Sequence, residues 1–87
     1  MKNIAIFASG SGTNAENIIK YFSNRKTAKV ILVLSNHREA YVLKRAANNN
    51  VNSFFFDRND FYNTRHVLDA LLSNDIDFVV LAGFLWL

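Results

Sequence analysis

The chain has 87 residues, 51% of them hydrophobic, which is enough for one small domain. It contains no cysteine, so a disulfide framework and a thiolate metal site are both excluded and a reducing compartment, the cytoplasm, is the natural setting. Ten Lys and Arg against seven Asp and Glu leave +3, but the bases are scattered, as helix-end charges are, and do not form the aromatic-interleaved stripe of a nucleic-acid binder.

Met1-Lys2-Asn3 leads straight into a strand pattern. No signal core follows, and no apolar run approaches the ~20 residues that a membrane span needs. Residues 3 to 8, Asn-Ile-Ala-Ile-Phe-Ala, are nearly continuously apolar, which fits a strand buried on both faces of a parallel sheet. A loop of small and polar residues, Ser9-Gly10-Ser11-Gly12-Thr13-Asn14, then hands over to a helix expected from about Thr13 to Phe22. Thr13 reads as its N-cap, with Glu16 three positions on completing a capping box.

The second strand is read from Lys29 to Leu34 and ends in the polar turn Ser35-Asn36-His37-Arg38. A second helix from about Glu39 to Asn48 turns Ala40, Leu43, Ala46 and Ala47 inward and Lys44 and Arg45 outward. The run Asn48-Asn49-Asn50 stops it, because asparagine tolerates the left-handed conformation. A third strand spans Val51 to Phe56. A third helix, from about Phe61 to Ser73, has Asn59, Asp60 and Asn63 as competing N-caps. The fourth strand, Asp77 to Ala82, closes at Gly83.

Strands and helices alternating at this spacing predict a Rossmann-like α/β fold, three layers with a parallel sheet. The fourth strand is expected to return to the far side of the first, giving the strand order 3-2-1-4 that ligand sites of this architecture favour. The loop at Gly10–Asn14 would then face the loop at Gly83 across the crevice at the switch point. The absence of proline and the apolar ending Phe84-Leu85-Trp86-Leu87 give the expectation that residues 1–87 are the N-terminal part of a longer domain.

The first loop carries the chemistry. Gly10-Ser11-Gly12-Thr13-Asn14-Ala15 matches G-x-G-x-x-A after a strand, and a bare turn has no need of so many hydroxyl and amide side chains. Backbone N–H groups of Gly12, Thr13 and Asn14 at a helix start, with the side chains of Ser11, Thr13 and Asn14 beside them, form a phosphate seat. A dinucleotide site would place an acidic residue at the end of the second strand, and none occurs before Glu39. His37 and Arg38 could instead meet the extra phosphate of NADP, which keeps an NADP-dependent oxidoreductase or nucleotide-binding module as an alternative. It is not a Walker loop, since Gly-Lys-Ser/Thr is absent. His37 reads as a solvated turn residue and His66 as a surface residue, with no third ligand at metal spacing. Asp57, Asp60, Asp75 and Asp77 read as caps and turns.

The loop, the Ser35-Asn36 turn leading to Glu39-Ala40 and Arg45-Ala46, and the segment Asp77-Phe78-Val79-Val80-Leu81-Ala82-Gly83-Phe84 together resemble the phosphoribosylglycinamide formyltransferase family. The resemblance runs over all 87 residues and covers roughly the first half of that family's chain. It implies transfer of a formyl group from 10-formyltetrahydrofolate to the amine of a glycinamide ribonucleotide in purine biosynthesis, without a metal, by a monomer or weak homodimer that partners neither nucleic acid nor membrane. By the same resemblance Gly12, Thr13 and Asn14, with Ser11, would hold the substrate phosphate, and Gly83 would lie against its glycinamide end. Leu85, Trp86 and Leu87 would line the folate's pterin pocket through main-chain contacts. Thr13 stands where the family often has serine, and Trp86 where it often has arginine. The family's catalytic Asn-x-His and later Asp have no match in residues 1–87, so the isolated stretch is expected to be inactive. Related formyltetrahydrofolate hydrolases, which usually carry an additional N-terminal domain, are a second alternative.

Overall fold

The computed structural model describes residues 1–84. Eight elements follow in order: β1 (Lys2–Phe7), α1 (Thr13–Ser23), β2 (Ala28–Ser35), α2 (Tyr41–Asn48), β3 (Asn52–Phe55), α3 (Arg58–Asn63), α4 (His66–Ser73) and β4 (Phe78–Leu81). The four strands form one parallel sheet, as the alternation of elements predicts, in the expected order β3-β2-β1-β4.

The centre of the sheet is buried from both sides, because β1 alternates between two cores. Ile4, Ile6 and Ala8 pack with Ala15 and Ile19 of α1 and with Val42 and Ala46 of α2. Ala5 and Phe7 face the other way, into a cluster with Leu32, Leu34, Phe56, Val67 and Phe84. In β2 the alternation slips by one residue. Ile4 pairs with Val30 but Ala5 with Leu32, so Ile31 is an extra residue in the ladder. A one-residue insertion of this kind re-phases a strand; here Val30 and Val33 both reach the first core.

β4 is clipped onto β1 at its start. Asn3 N–H donates to the Asp77 carboxylate (2.7 Å), Asp77 N–H to Asn3 O (2.8 Å), and the Asn3 amide to Asp75 O (3.0 Å). Phe78, Val79 and Leu81 of this outer strand are exposed.

Three local expectations need correction. Gly12, at φ 82°, is the N-cap of α1 and Thr13 is its first helical residue. No side chain caps the helix, so the expected Thr13–Glu16 box does not form, and Glu16 is engaged elsewhere. The second helix starts at Tyr41, because Ala40 is extended and its N–H closes a turn onto His37 O (3.1 Å). The third helix is two helices. Asp57 caps α3 in a reciprocal box with Asp60, which moves the start to Arg58. Thr64 then takes extended backbone, its hydroxyl donating to Asp60 O (3.0 Å) and accepting from His66 N–H (3.1 Å). Such side-chain-to-backbone bonds compete with helix continuation. The asparagine stop behaves as expected: Asn50 is left-handed at φ 60°, and Val51 N–H reaches back to Ala46 O (2.9 Å).

Candidate functional site

Two loops leave the C-terminal ends of adjacent strands, β1 and β4, and meet. Ala82 N–H donates to Phe7 O (2.9 Å) and Ser9 N–H to Gly83 O (3.4 Å), while Ala8 N–H is held by Leu34 O of β2 (3.0 Å). Between them lies a cleft of about 160 Å³ lined by Gly10, Ser11, Gly12, Thr13, Asn14, Ala82 and Gly83. The reversal of strand order at β1 therefore brings together the two loops that the sequence singled out.

Within the cleft the backbone supplies the donors. A helix leaves its first N–H groups without intrahelical partners, and the N-cap of α1 is Gly12, which has no side chain to cap them. The first intrahelical bond in this turn runs from Glu16 N–H to Gly12 O (2.8 Å). Ser11 and Thr13 add hydroxyls 3.3 Å apart, and both residues, like Asn14, are exposed. The result is a small, open, donor-rich pocket at the positive end of a three-turn helix, which suits a phosphoryl group.

Both lining glycines at positive φ are required, for different reasons. At Gly12 a Cβ would stand 2.4 Å from Val42 Cγ2, so α2 presses directly on the loop. At Gly83 (φ 74°) a Cβ would meet nothing within 4 Å, which leaves room beside the backbone for a ligand.

The support under the loop comes from α2. Arg45, expected to point outward, is three-quarters buried. Its Nε donates to Ser11 O (2.7 Å) and its Nη1 to Glu16 Oε1 (2.7 Å). The other Glu16 oxygen accepts from the Asn49 amide (2.9 Å), which also donates to Arg45 O (2.8 Å). The Asn49 hydrogen bond chiefly holds the Glu16 carboxyl below its ordinary pKa, with Arg45 adding to it against the opposing effect of desolvation. Val42, Arg45 and Asn49 stand at i, i+3 and i+7, one face of a helix. That spacing, beside the inward Ala46, was the available signal for this support. Charge alone read Arg45 as solvated.

Other candidates stand apart. His37 and Arg38 do not line the cleft, and the Arg38 guanidinium lies over the Phe55 ring at 4.5 Å. His66 is exposed as expected, with its Nδ1 2.8 Å from the Asp60 carboxylate. That bond, together with the Asp57 backbone N–H, lowers the Asp60 pKa. Leu85, Trp86 and Leu87, the expected folate-pocket residues, lie outside the described residues.

The formyl transferase family profile matches residues 2–87. A phosphoribosylglycinamide formyltransferase from Haemophilus influenzae is 39% identical over 90 residues, covering 98% of this chain and 42% of its own. Among solved structures, glycinamide ribonucleotide transformylase 1 from Geobacillus kaustophilus superimposes with a TM-score of 0.87 at 35% identity, over 100% of this chain and 49% of that one. Phosphoribosylglycinamide formyltransferase from Anaplasma phagocytophilum gives 0.90 at 30% identity, over 99% and 41%. The chain thus spans less than half the length of each of these relatives.

Proposed function

The chain belongs to the formyl transferase family, and from that premise we propose that it is the substrate-holding part of an enzyme that formylates the amine of N1-(5-phospho-D-ribosyl)glycinamide, with 10-formyltetrahydrofolate as donor, in purine biosynthesis. The observation that carries the reading is the cleft in which the uncapped start of α1 faces the Gly83 loop. Gly12, Thr13 and Asn14 donate backbone N–H groups to the 5′-phosphate, with the Ser11 and Thr13 hydroxyls beside them. Gly83, with open space where a side chain would be, lets the glycinamide end approach the backbone. Ser9 N–H to Gly83 O couples the two subsites, so phosphate and amine are held at a fixed separation.

The folate supplies the formyl group when bound, with Leu85, Trp86 and Leu87 proposed at its pterin. What residues 1–84 contribute is orientation: an anchored phosphate turns encounter into a positioned attack by the amine. Acid–base groups are a separate requirement, and Asn-x-His occurs nowhere in residues 1–87.

The test is formyl transfer by the natural full-length protein, with glycinamide ribonucleotide and 10-formyltetrahydrofolate as substrates. Transfer that depends on both is expected. Tight binding of NADPH with none of the ribonucleotide would overturn the reading, and formate release that ignores the ribonucleotide would favour the hydrolase. Residues 1–87 alone should show no transfer.

A further inference from the structure

We propose that Arg45 is a positioning residue for the phosphate: from α2 it fixes the Ser11–Gly12 peptide plane so that the Gly12 N–H faces the cleft. This deepens the phosphate-binding reading above and rests on it.

The geometry starts from the peptide bond. It is planar, and in its trans form the C=O of one residue and the N–H of the next point in opposite directions. No cis peptide occurs among the described residues. Arg45 Nε holds Ser11 O at 2.7 Å, on the α2 side of the loop. The Gly12 N–H therefore points away from α2. Gly12 is at φ 82° and would otherwise be a free hinge, since glycine crosses between left- and right-handed regions at little cost. Val42 lies so close that a Cβ at Gly12 would stand 2.4 Å from its Cγ2, so the loop cannot sink toward α2.

Arg45 is itself held from two sides. Its Nη1 meets Glu16 and its backbone carbonyl accepts from Asn49, whose amide also binds Glu16. The arrangement resolves an electrostatic conflict. Glu16 sits in the first turn of α1, close to where an anion would bind. A free carboxylate there would repel phosphate, and the guanidinium and amide compensate it. One fork thus orients a donor and offsets a repelling charge, without needing to touch the ligand.

The experiment is Arg45→Met in the natural full-length protein, which removes every donor and keeps most of the stem. The KM for glycinamide ribonucleotide should rise roughly ten- to a hundred-fold, the loss expected when one charge-assisted hydrogen bond is misplaced. Its kcat and the KM for the folate should stay within about threefold, and turnover of the dephosphorylated ribonucleoside should not fall. That split separates positioning of the phosphate from general destabilisation, which would lower all activities together. Should Arg45→Met fail to fold, Arg45→Gln, too short to span both acceptors, takes its place with the same expectations. An unchanged ribonucleotide KM in the folded variant would overturn the role of Arg45, as would equal losses on both substrates. If instead the unmutated protein does not distinguish ribonucleotide from ribonucleoside, the phosphate reading itself fails, and Arg45 with it.

Discussion

The two faces of the sheet are held together by different means. Under α1 and α2 the packing is small and aliphatic, and three polar bonds join residues far apart in sequence, Arg45 with Ser11 and Glu16, and Asn49 with Glu16. Under α3 and α4 the packing is aromatic: Phe56 stacks on Phe61 at 5.3 Å, and Phe7 meets Phe56 and Phe84 edge-on at 5.8 and 5.3 Å. There the polar bonds among Asp57, Asp60, Thr64 and His66 are local. One face therefore supplies bulk stability and closes its helix ends with nearby residues. The other spends its polar side chains on the shape of a loop. The cleft belongs to the second kind, and its donors face it from a helix start whose cap, Gly12, has no side chain.

Substitution on each face breaks this comparison in a different way. Phe56 is fully buried at the centre of the aromatic face, so Phe56→Ala should cost about 3–5 kcal/mol of stability, read by denaturant unfolding. Ligand affinity per folded molecule should be little changed. Gly12→Ala combines a left-handed backbone with a methyl forced onto Val42 and should cost roughly 2–4 kcal/mol. Unlike Phe56→Ala, it should also weaken ribonucleotide binding in the molecules that do fold. Gly83→Ala, with the same sign of φ and open space around it, isolates the backbone term at about 1–2 kcal/mol. Equal stability losses for the two glycine variants would show that α2 does not press on the loop.

The smallest effect is the pH dependence. Glu16 has a lowered pKa in the fold, from the Asn49 hydrogen bond first and then Arg45. Its contribution to stability is complete above the ordinary carboxyl range and is lost as pH falls through the folded value. Asp60 behaves in the same direction, through His66 and the Asp57 backbone. Thermal melts in acid should flatten with either Glu16→Gln or Asp60→Asn. Only the first should alter ribonucleotide binding, since only Glu16 shares Arg45 with the loop. A change in binding with Asp60→Asn would erase the distinction between the faces.

Much of this was legible from residue type and spacing. Apolar runs bounded by polar loops mark the strands, because a strand buried on both faces cannot alternate with polar residues. The glycines and hydroxyls after Phe7 mark the candidate phosphate loop for a chemical reason, and Asn50 ends its helix as an asparagine in the left-handed region does. Less legible were the helix starts. Thr13 and Glu16 carry a sound capping pattern, yet Glu16 takes partners 29 and 33 residues away in place of the local one. Thr64 interrupts a helix that periodicity alone continues, since periodicity is blind to a hydroxyl that bonds the backbone.

By itself, then, the sequence determined the class of fold, the parallel sheet and the loop with the composition of a phosphate site, because those depend on local pattern and side-chain chemistry. The tertiary structure bore out the expected return of β4 to the side of β1, and it alone decided that Ile31 re-phases β2 and that Arg45 faces the loop instead of solvent. These depend on which distant groups meet once the helices have packed. A short-range pattern can name a residue capable of a bond. The partner is chosen by the packing of α1 and α2 against the same face of the sheet.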